Sequence, residues 1–238
     1  MGAGAKRVPE RPAMKAAHLT VTSIIDSVEE ALRQQILDLD IPPGAAVKET
    51  DLATAFAVAR PTAKAAIERL VAQGLLRRDV HKSARVPKMS GADVDDLYLT
   101  RTMLESQIVR RLAHAHALPP RAAAHIAELE AVPPGSAPAM YVGPDIAFHA
   151  ALSQHLGSRR VSQIHAVLLQ ETRLCMAQVQ AHQLLGPNVI VAEHQEIIAA
   201  IQLGDEHAAA QAMQAHLDRA RHALVTYLEQ QTSTHSAK

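Results

Sequence analysis

The chain has 238 residues, of which 48% are hydrophobic and only 2% aromatic, and its formal net charge is zero. This aromatic-poor composition favours helices packed on helices over a β-sandwich. The single cysteine, Cys175, excludes an intramolecular disulfide and fits a reducing compartment. No apolar run approaches the roughly 18 residues of a membrane span, and the amino-terminal segment lacks the apolar stretch of a secretory signal. We therefore expect a cytoplasmic protein without a membrane partner, with a flexible arm at 1–19.

The charges are unevenly distributed along the chain. Residues 1–90 carry 14 Lys and Arg against 10 Asp and Glu, a net +4, and residues 91–238 carry the opposite excess of −4. Within residues 60–88 there are eight basic side chains and two acidic ones. A basic stretch on a small domain is the footprint of phosphate contact, although a solvated charged surface gives the same pattern.

The first elements are short helices followed by a hairpin. Apolar residues at helical spacing predict a helix over about 22–39, which the sequence IPPG stops. A short helix follows from Glu49, and another covers about 60–73. The segment LLRRDVHKSARV at 75–86 predicts two short strands around a polar turn. This order predicts a winged helix-turn-helix domain over residues 20–86.

The second short helix of such a domain enters the major groove of DNA. The predicted DNA-binding residues lie at the start of this helix and in the wing: Arg60, Thr62, Lys64, His81, Lys82 and Arg85. Arg60 is suited to reading guanine, and Lys64 to contacting a phosphate.

After a linker at 87–91, the pattern predicts only helices. Proline and glycine breakers separate six segments, at 92–117, 120–131, 139–156, 160–184, 188–203 and 205–230. Short connections between successive helices favour an antiparallel bundle. We place this all-helical domain at residues 92–230, with a tail at 231–238.

Four polar side chains fall on apolar helix faces that should point inward. They are Asp145, His149, His194 and His216. A buried carboxylate needs a hydrogen-bonding, ionic or metallic partner. One carboxylate and three imidazoles suit Zn²⁺, with Ni²⁺, Mn²⁺ or Fe²⁺ as alternatives. Taken singly, an inward histidine is more often a hydrogen-bonded core residue than a metal ligand, and His155 and His165 are left out of the set.

Arg101 is also predicted to point inward. A buried guanidinium needs an anion, and its planar fork suits a carboxylate. That anion belongs either to an internal ion pair, for instance with an acidic group on a neighbouring helix, or to a bound small acid, in which case Tyr98 would line the same cavity. Arg173 is a weaker candidate. A metal with an open position beside Arg101 would suit hydroxy acids, sugar acids and dicarboxylates.

The block PPGAAVKETDLATAFAVARPTAKAAIERLVAQGLLRR resembles the DNA-binding domain of the GntR family of bacterial transcription regulators. The segments LYLTRTMLES, DIAFHAAL, EHQEIIAAI and GDEHAAAQAMQAHL resemble the effector-binding FCD domain of its FadR subfamily. The resemblance covers about residues 20–230. It implies a homodimer, most often a repressor, that binds a pseudo-palindromic operator in double-stranded DNA.

For the site residues, the resemblance implies that the inward carboxylate and the three inward histidines bind metal. It implies that Arg101 holds the carboxylate of a small effector. The chain departs from the family pattern at five positions of the DNA-binding domain: Thr50, Ala57, Ala59, Lys64 and Ser83. Ala57 replaces a glycine and Ala59 a capping serine, and each replacement costs on the order of 1 kcal/mol.

Three functions are compatible with these features. The first is a ligand-responsive transcription regulator that senses a carboxylic acid at the metal. The second is a metal-dependent hydrolase or lyase, which lacks a clear general acid or base because Glu193 and Glu196 should point away from the centre. The third is a DNA-binding regulator whose metal is purely structural. We expect the first, and no enzyme.

Overall fold

The computed structural model describes residues 23–80, 82–133, 136, 138–179 and 184–236. The predicted arm and His81 lie outside these residues. The elements are α1 (Ile24–Leu37), β1 (Ala46–Val47), α2 (Glu49–Ala55), α3 (Arg60–Ala72), β2 (Ala84–Arg85), α4 (Gly91–His114), α5 (Pro120–Glu130), α6 (Pro138–His155), α7 (Arg159–Gln178), α8 (Pro187–Leu203) and α9 (Glu206–Ser236). The predicted class, a mainly helical fold with a winged helix-turn-helix followed by a helical bundle, is confirmed.

The first three helices enclose a small core. Ser23 and Asp26 form a capping box that satisfies the first backbone N–H groups of α1. The buried side chains share an apolar stripe on each helix, and they include Val28, Leu32, Ile36, Leu52, Ile67 and Leu70. Gly74, with φ +80°, follows the end of α3 in the left-handed conformation that glycine adopts at low cost.

The wing differs from the prediction of two strands within 75–86. β2 pairs antiparallel with β1, which precedes α2, and only a single bridge joins Arg77 to Arg85. The extended segment that follows the Pro42-Pro43 turn lies beside β2, and Gly44 N–H donates to the Val86 carbonyl at 2.8 Å. The hairpin therefore forms, but the longer pairing of β2 is with the segment before the helix-turn-helix.

The turn between α2 and α3 shows what the departures from the family pattern do. Ala57 has φ +49°, so an alanine occupies a left-handed position. Ala59 is the N-cap of α3, and no side chain caps that helix end. Each feature costs on the order of 1 kcal/mol relative to glycine and serine respectively.

The remaining six described helices form the bundle. α4 packs along α9, α5 along α6, and α8 along α9, around a core that includes Ile108, Leu112, Phe148, Ile197 and Leu217. α4 begins with a second capping box, from Ser90 and Asp93. α9 continues to Ser236, past the predicted helix end at 230. No helix among the described residues combines the length and apolar character needed to cross a membrane.

Helix α7 belongs to the bundle but also packs on the DNA-binding domain. Its Leu174, fully buried, is part of the core that α1 and α3 form. Gln178 holds the linker, since its Nε2 donates to the Pro87 carbonyl at 2.7 Å and its Oε1 accepts from Met89 N–H at 3.1 Å. The two domains are therefore joined by packing as well as by the linker.

Candidate metal centre and DNA-binding face

The four inward polar side chains meet in the middle of the bundle. α6 supplies Asp145 and His149 one turn apart, α8 supplies His194, and α9 supplies His216. One potential ligand atom from each lies within 4.8 Å of every other, and all four residues are buried. This donor set and spacing are suited to a single divalent ion.

Two carboxylates fix the orientation of two of the histidines. His149 Nδ1 lies 2.5 Å from Glu105 Oε2, and His216 Nδ1 lies 2.8 Å from Glu193 Oε2. An ionised carboxylate can only accept, so both rings carry their proton on Nδ1 and turn the Nε2 lone pair toward the centre. The two Nε2 atoms are 3.2 Å apart. Two lone pairs at this distance repel each other unless a cation lies between them.

The electrostatic environment keeps the imidazoles neutral. Burial lowers the pKa of His149 and His216, and it lowers the pKa of His194 well below its usual range. Burial also raises the pKa of the Asp145 carboxyl, with His216 opposing the shift. Neutral imidazole is the form that binds a metal, and a buried carboxylate is relieved by one, so the site fits a divalent cation.

His194 is held by ring contacts and not by hydrogen bonds. Its ring stacks on Phe148, with centroids 3.8 Å apart and planes at 14°. Its Nε2 is 3.4 Å from Asp145 Oδ1, but neither ring nitrogen makes a hydrogen bond. The stacking fixes the ring while leaving both nitrogens available to another ligand.

Arg101 is buried beside this centre, as predicted, but its partner is on its own helix. Nε donates to Glu105 Oε1 at 2.8 Å, one turn along α4, so the internal ion pair left open from the sequence forms within one helix and not with a neighbouring one. Burial favours neutral Glu105, but Arg101 and His149 outweigh it and hold the carboxyl pKa well below its usual range. Arg101 Nη2 and Tyr98 Oη, both buried, have no hydrogen-bond partner.

Three residues of this region were missed from sequence. Glu105 shares the inward face of α4 with Arg101, and this spacing could have indicated it. His165, set aside from sequence, is fully buried with Nε2 3.1 Å from Glu105 Oε1. Glu193 was expected to point away, which is wrong: it bonds His216 and Arg219.

Arg173 lies at the domain interface and not at the centre. Its guanidinium is close enough to α1 for Arg33 to affect it, and burial together with Arg33 lowers its pKa. Effector binding by this residue stays a prediction.

Two of the predicted DNA-binding residues, Arg60 on α3 and Lys82 in the wing, line the same groove. Arg60 and Lys64 are exposed in the first turns of α3, and Thr62 is half-buried between them. In the wing, Lys82 Nζ is 3.1 Å from Asp79 Oδ2, and Arg85 Nη1 donates to the Gly44 carbonyl at 2.9 Å. The surface is basic and offers one helix end, which is what a major-groove contact requires.

A winged helix-turn-helix joined to a helical bundle defines the class of two-domain DNA-binding transcription regulators. Residues 24–86 match the family described as bacterial regulatory proteins, gntR family, and residues 96–219 match the FCD domain. The chain belongs to the GntR family, and its FCD domain fits the FadR subfamily, which confirms the resemblance found in the sequence. It is a DNA-binding transcription regulator and not an enzyme.

Individual relatives support this assignment. The chain is 31% identical over 200 residues to an uncharacterized HTH-type transcriptional regulator in an unstable DNA locus of Streptomyces ambofaciens, covering 78% of each chain. It is 24% identical over 203 residues to a probable D-xylose utilization operon transcriptional repressor of Paenarthrobacter nicotinovorans, covering 84% and 88%. Its fold is similar to a GntR transcriptional regulator from Rhodococcus sp. RHA1, with TM-score 0.72, 25% identity, and coverage of 86% of this chain and 99% of that one.

Proposed function

We propose that this regulator represses transcription as a homodimer and senses a small carboxylic acid at a divalent metal. Residues 20–86 bind the operator, residues 87–91 link the domains, and residues 92–230 hold the metal and effector and form the dimer. The metal is Zn²⁺, with Ni²⁺, Mn²⁺ or Fe²⁺ as alternatives. The observation that carries the proposal is the buried meeting of one carboxylate and three neutral imidazoles beside a guanidinium with an unpaired Nη2.

The protonation pattern supports a metal over a hydrogen-bonded core. His149 and His216 donate their Nδ1 protons to Glu105 and Glu193. The facing Nε2 atoms therefore carry no proton and cannot form a hydrogen bond with each other. A divalent ion between them would accept both lone pairs and would neutralise the buried Asp145. Four protein ligands leave an exchangeable position only if the ion expands its coordination beyond four, which Zn²⁺, Ni²⁺, Mn²⁺ and Fe²⁺ all allow.

The unpaired donors beside the centre support an acidic effector. Arg101 uses Nε for Glu105 and keeps Nη2, and Tyr98 keeps its hydroxyl, both without a partner. Leaving buried donors unpaired costs about 1–3 kcal/mol each, which a ligand carboxylate would recover. A carboxylate that reached Arg101 while a hydroxyl or second acid group reached the metal would be a hydroxy acid, a sugar acid or a dicarboxylate.

The DNA contacts follow from the exposed face of α3 and the wing. Arg60 would read guanine, Lys64 and Thr62 would contact base edges or phosphates, and Lys82 and Arg85 would contact the backbone. A homodimer places two such helices on half-sites about one helical turn, roughly 34 Å, apart, which gives a pseudo-palindromic operator. The P. nicotinovorans relative is described as a probable transcriptional repressor, which supports repression by this chain as well.

The route between the two sites would be α7. His165 on this helix touches Glu105, and Leu174 on the same helix lies in the core of the DNA-binding domain. An effector whose carboxylate binds Arg101 would change the contacts of Glu105 and, through His165, those of α7. Regulation requires that the effector bind the DNA-free and DNA-bound forms with different affinity.

Metal content and thermal stability test the proposal. The purified dimer would be stripped with a chelator, reloaded with Zn²⁺, and melted with and without malate, gluconate or succinate as representative acids. We expect one class to raise the melting temperature only in the metal-loaded protein. His149→Ala should abolish metal binding, and His155→Ala, at an exposed position of the same helix, should retain it.

The outcomes separate the candidate functions. If the metal stabilised the protein and no acid had any effect, the metal would be structural and the proposed sensing of an acid would be refuted. No metal binding by the wild type would remove the metal centre itself. Lys64→Ala should weaken DNA binding while leaving the response to acids intact, and an equal loss of both would refute the division of labour between the two domains.

A further inference from the structure

A polar groove opens on the DNA-binding face where three segments meet. It has a volume of about 330 Å³, and the residues that line it include Lys48, Glu49, Thr50, Arg60, Arg78 and Lys82. These residues come from the start of α2, the start of α3 and the wing. Four of the lining side chains are cationic, and of the described lining residues only Glu49 is acidic.

Glu49 joins two of these cations. Its Oε2 accepts a hydrogen bond from Arg60 Nε at 3.2 Å, and its Oε1 lies 3.7 Å from Arg78 Nη2. The Glu49 side chain is 22% exposed and that of Arg78 25%, whereas Arg60 is 68% exposed. Glu49 and Arg78 thus form a partly buried base, from which the end of Arg60 projects into solvent.

A carboxylate on this face has an electrostatic cost. DNA binding depends on cations that neutralise phosphates, and a negative charge in the groove opposes the approaching backbone. The position of Glu49 indicates a role that would compensate for this cost. The hydrogen bond engages Arg60 through Nε, and among the described residues no hydrogen bond involves its two terminal amino groups. These are the groups that bind guanine O6 and N7 as a fork.

We propose that Glu49 is a specificity-determining positioning residue that orients Arg60 for base recognition and ties the start of α3 to Arg78 at the start of the wing. The proposal rests on the proposed DNA contact of Arg60. It assigns to Glu49 no contact with DNA: it acts by restricting the conformations of the Arg60 guanidinium. A pre-oriented fork discriminates between bases, whereas a free arginine contributes mainly unselective attraction to phosphates.

The test compares selective with unselective binding in the full-length dimer. The wild-type protein would first select its preferred duplex from a random library, and affinities would then be measured for that duplex and for a scrambled one. Glu49→Gln removes the charge, and Glu49→Asp keeps it but shortens the reach. Asp51→Asn is the matched control, because it removes a charge two residues further along α2 that accepts from Thr50 Oγ1 and pairs with no arginine among the described residues.

We expect both Glu49 variants to lower the ratio of the two affinities about ten-fold, in the range of one lost bidentate base contact. Asp51→Asn should shift both affinities together and leave the ratio unchanged. In an Arg60→Ala background, Glu49→Gln should have no further effect on the ratio. Unchanged far-ultraviolet circular dichroism and melting would verify folding of each variant.

Other outcomes would overturn the inference. If Glu49→Asp matched the wild type and Glu49→Gln tightened binding to both duplexes equally, Glu49 would be an ordinary negative charge. An additive loss in the Arg60→Ala background would show that Glu49 acts on something else. If Arg60→Ala left the ratio unchanged, both this inference and the proposed guanine contact would fail. If the library yielded no preferred duplex, the proposed sequence-specific function would itself fail.

Discussion

Glu105 Oε2 lies 2.5 Å from His149 Nδ1, and both side chains are buried in the centre of the bundle. This contact decides which nitrogen of His149 faces the candidate metal centre. Glu105 also accepts from Arg101 and touches His165, so one carboxylate connects a proposed metal ligand, a proposed effector ligand and the helix that packs on the DNA-binding domain.

Replacing Glu105 should weaken metal binding without removing any ligand. In Glu105→Gln the neutral amide can present either its oxygen or its NH2 group to His149 Nδ1, so it fixes the tautomer less firmly and no longer raises the basicity of Nε2. Loss of such a carboxylate typically lowers metal affinity about 10–100-fold. Competition with a coloured chelator for Zn²⁺ measures this affinity. Glu193→Gln tests the same relationship at His216, and Glu128→Gln, which breaks an exposed contact with His125, is the control. Equal affinities in all three variants would contradict the tautomer argument.

Arg101→Lys should separate effector binding from metal binding. Lysine keeps the positive charge beside Glu105 but loses the planar fork, so the carboxylate of an effector would be held by one point charge. We expect the acid-induced rise in melting temperature to shrink while Zn²⁺ content stays at the wild-type level. The measurement is the melting temperature against acid concentration. A full acid response in this variant would place the effector elsewhere.

Gly74→Ala should destabilise the protein for two independent reasons. The residue has φ +80°, and an added Cβ would lie 2.6 Å from Cγ of Glu171 on α7. We expect a loss of about 1–3 kcal/mol in the free energy of unfolding. Gly91→Ala is the matched control, because its Cβ would sit 3.6 Å from Val225 in ordinary contact, and there the change should be neutral or stabilising by up to about 1 kcal/mol. Urea denaturation measures both, and equal effects would be inconsistent with the strained position.

Two substitutions in the turn between α2 and α3 should stabilise the protein. Ala57→Gly relieves a left-handed alanine, and Ala59→Ser supplies the missing cap of α3, so each should add about 1 kcal/mol to stability. Ala72→Ser, at an exposed position in the last turn of α3, should instead cost a few tenths of a kcal/mol. The melting temperatures of the three variants test this order, and a gain at Ala72 as large as that at Ala59 would argue against capping as the cause.

The helices and the inward polar residues could be predicted from the sequence, because both depend on the spacing of residues along one helix. Asp145 and His149 were recognisable as a pair one turn apart, and His194 and His216 because each interrupts an apolar stripe. The pairing of β1 with β2 was not predicted, since it joins segments almost forty residues apart and two residues long. Glu193 was misassigned because both of its partners, His216 and Arg219, lie on another helix, α9, and the spacing of residues along α8 gives no sign of them.

The position of Leu174 means that the DNA-binding half is not self-contained. Its core is closed by a leucine that the chain supplies some ninety residues after the wing, from the last turns of α7. Cutting the polypeptide at the linker would open that core and expose the face of α1 that packs on α7. An exchange of effector-binding domains between regulators of this architecture would have to preserve the end of α7. Otherwise the DNA-binding domain of the hybrid protein would have a cavity in its core.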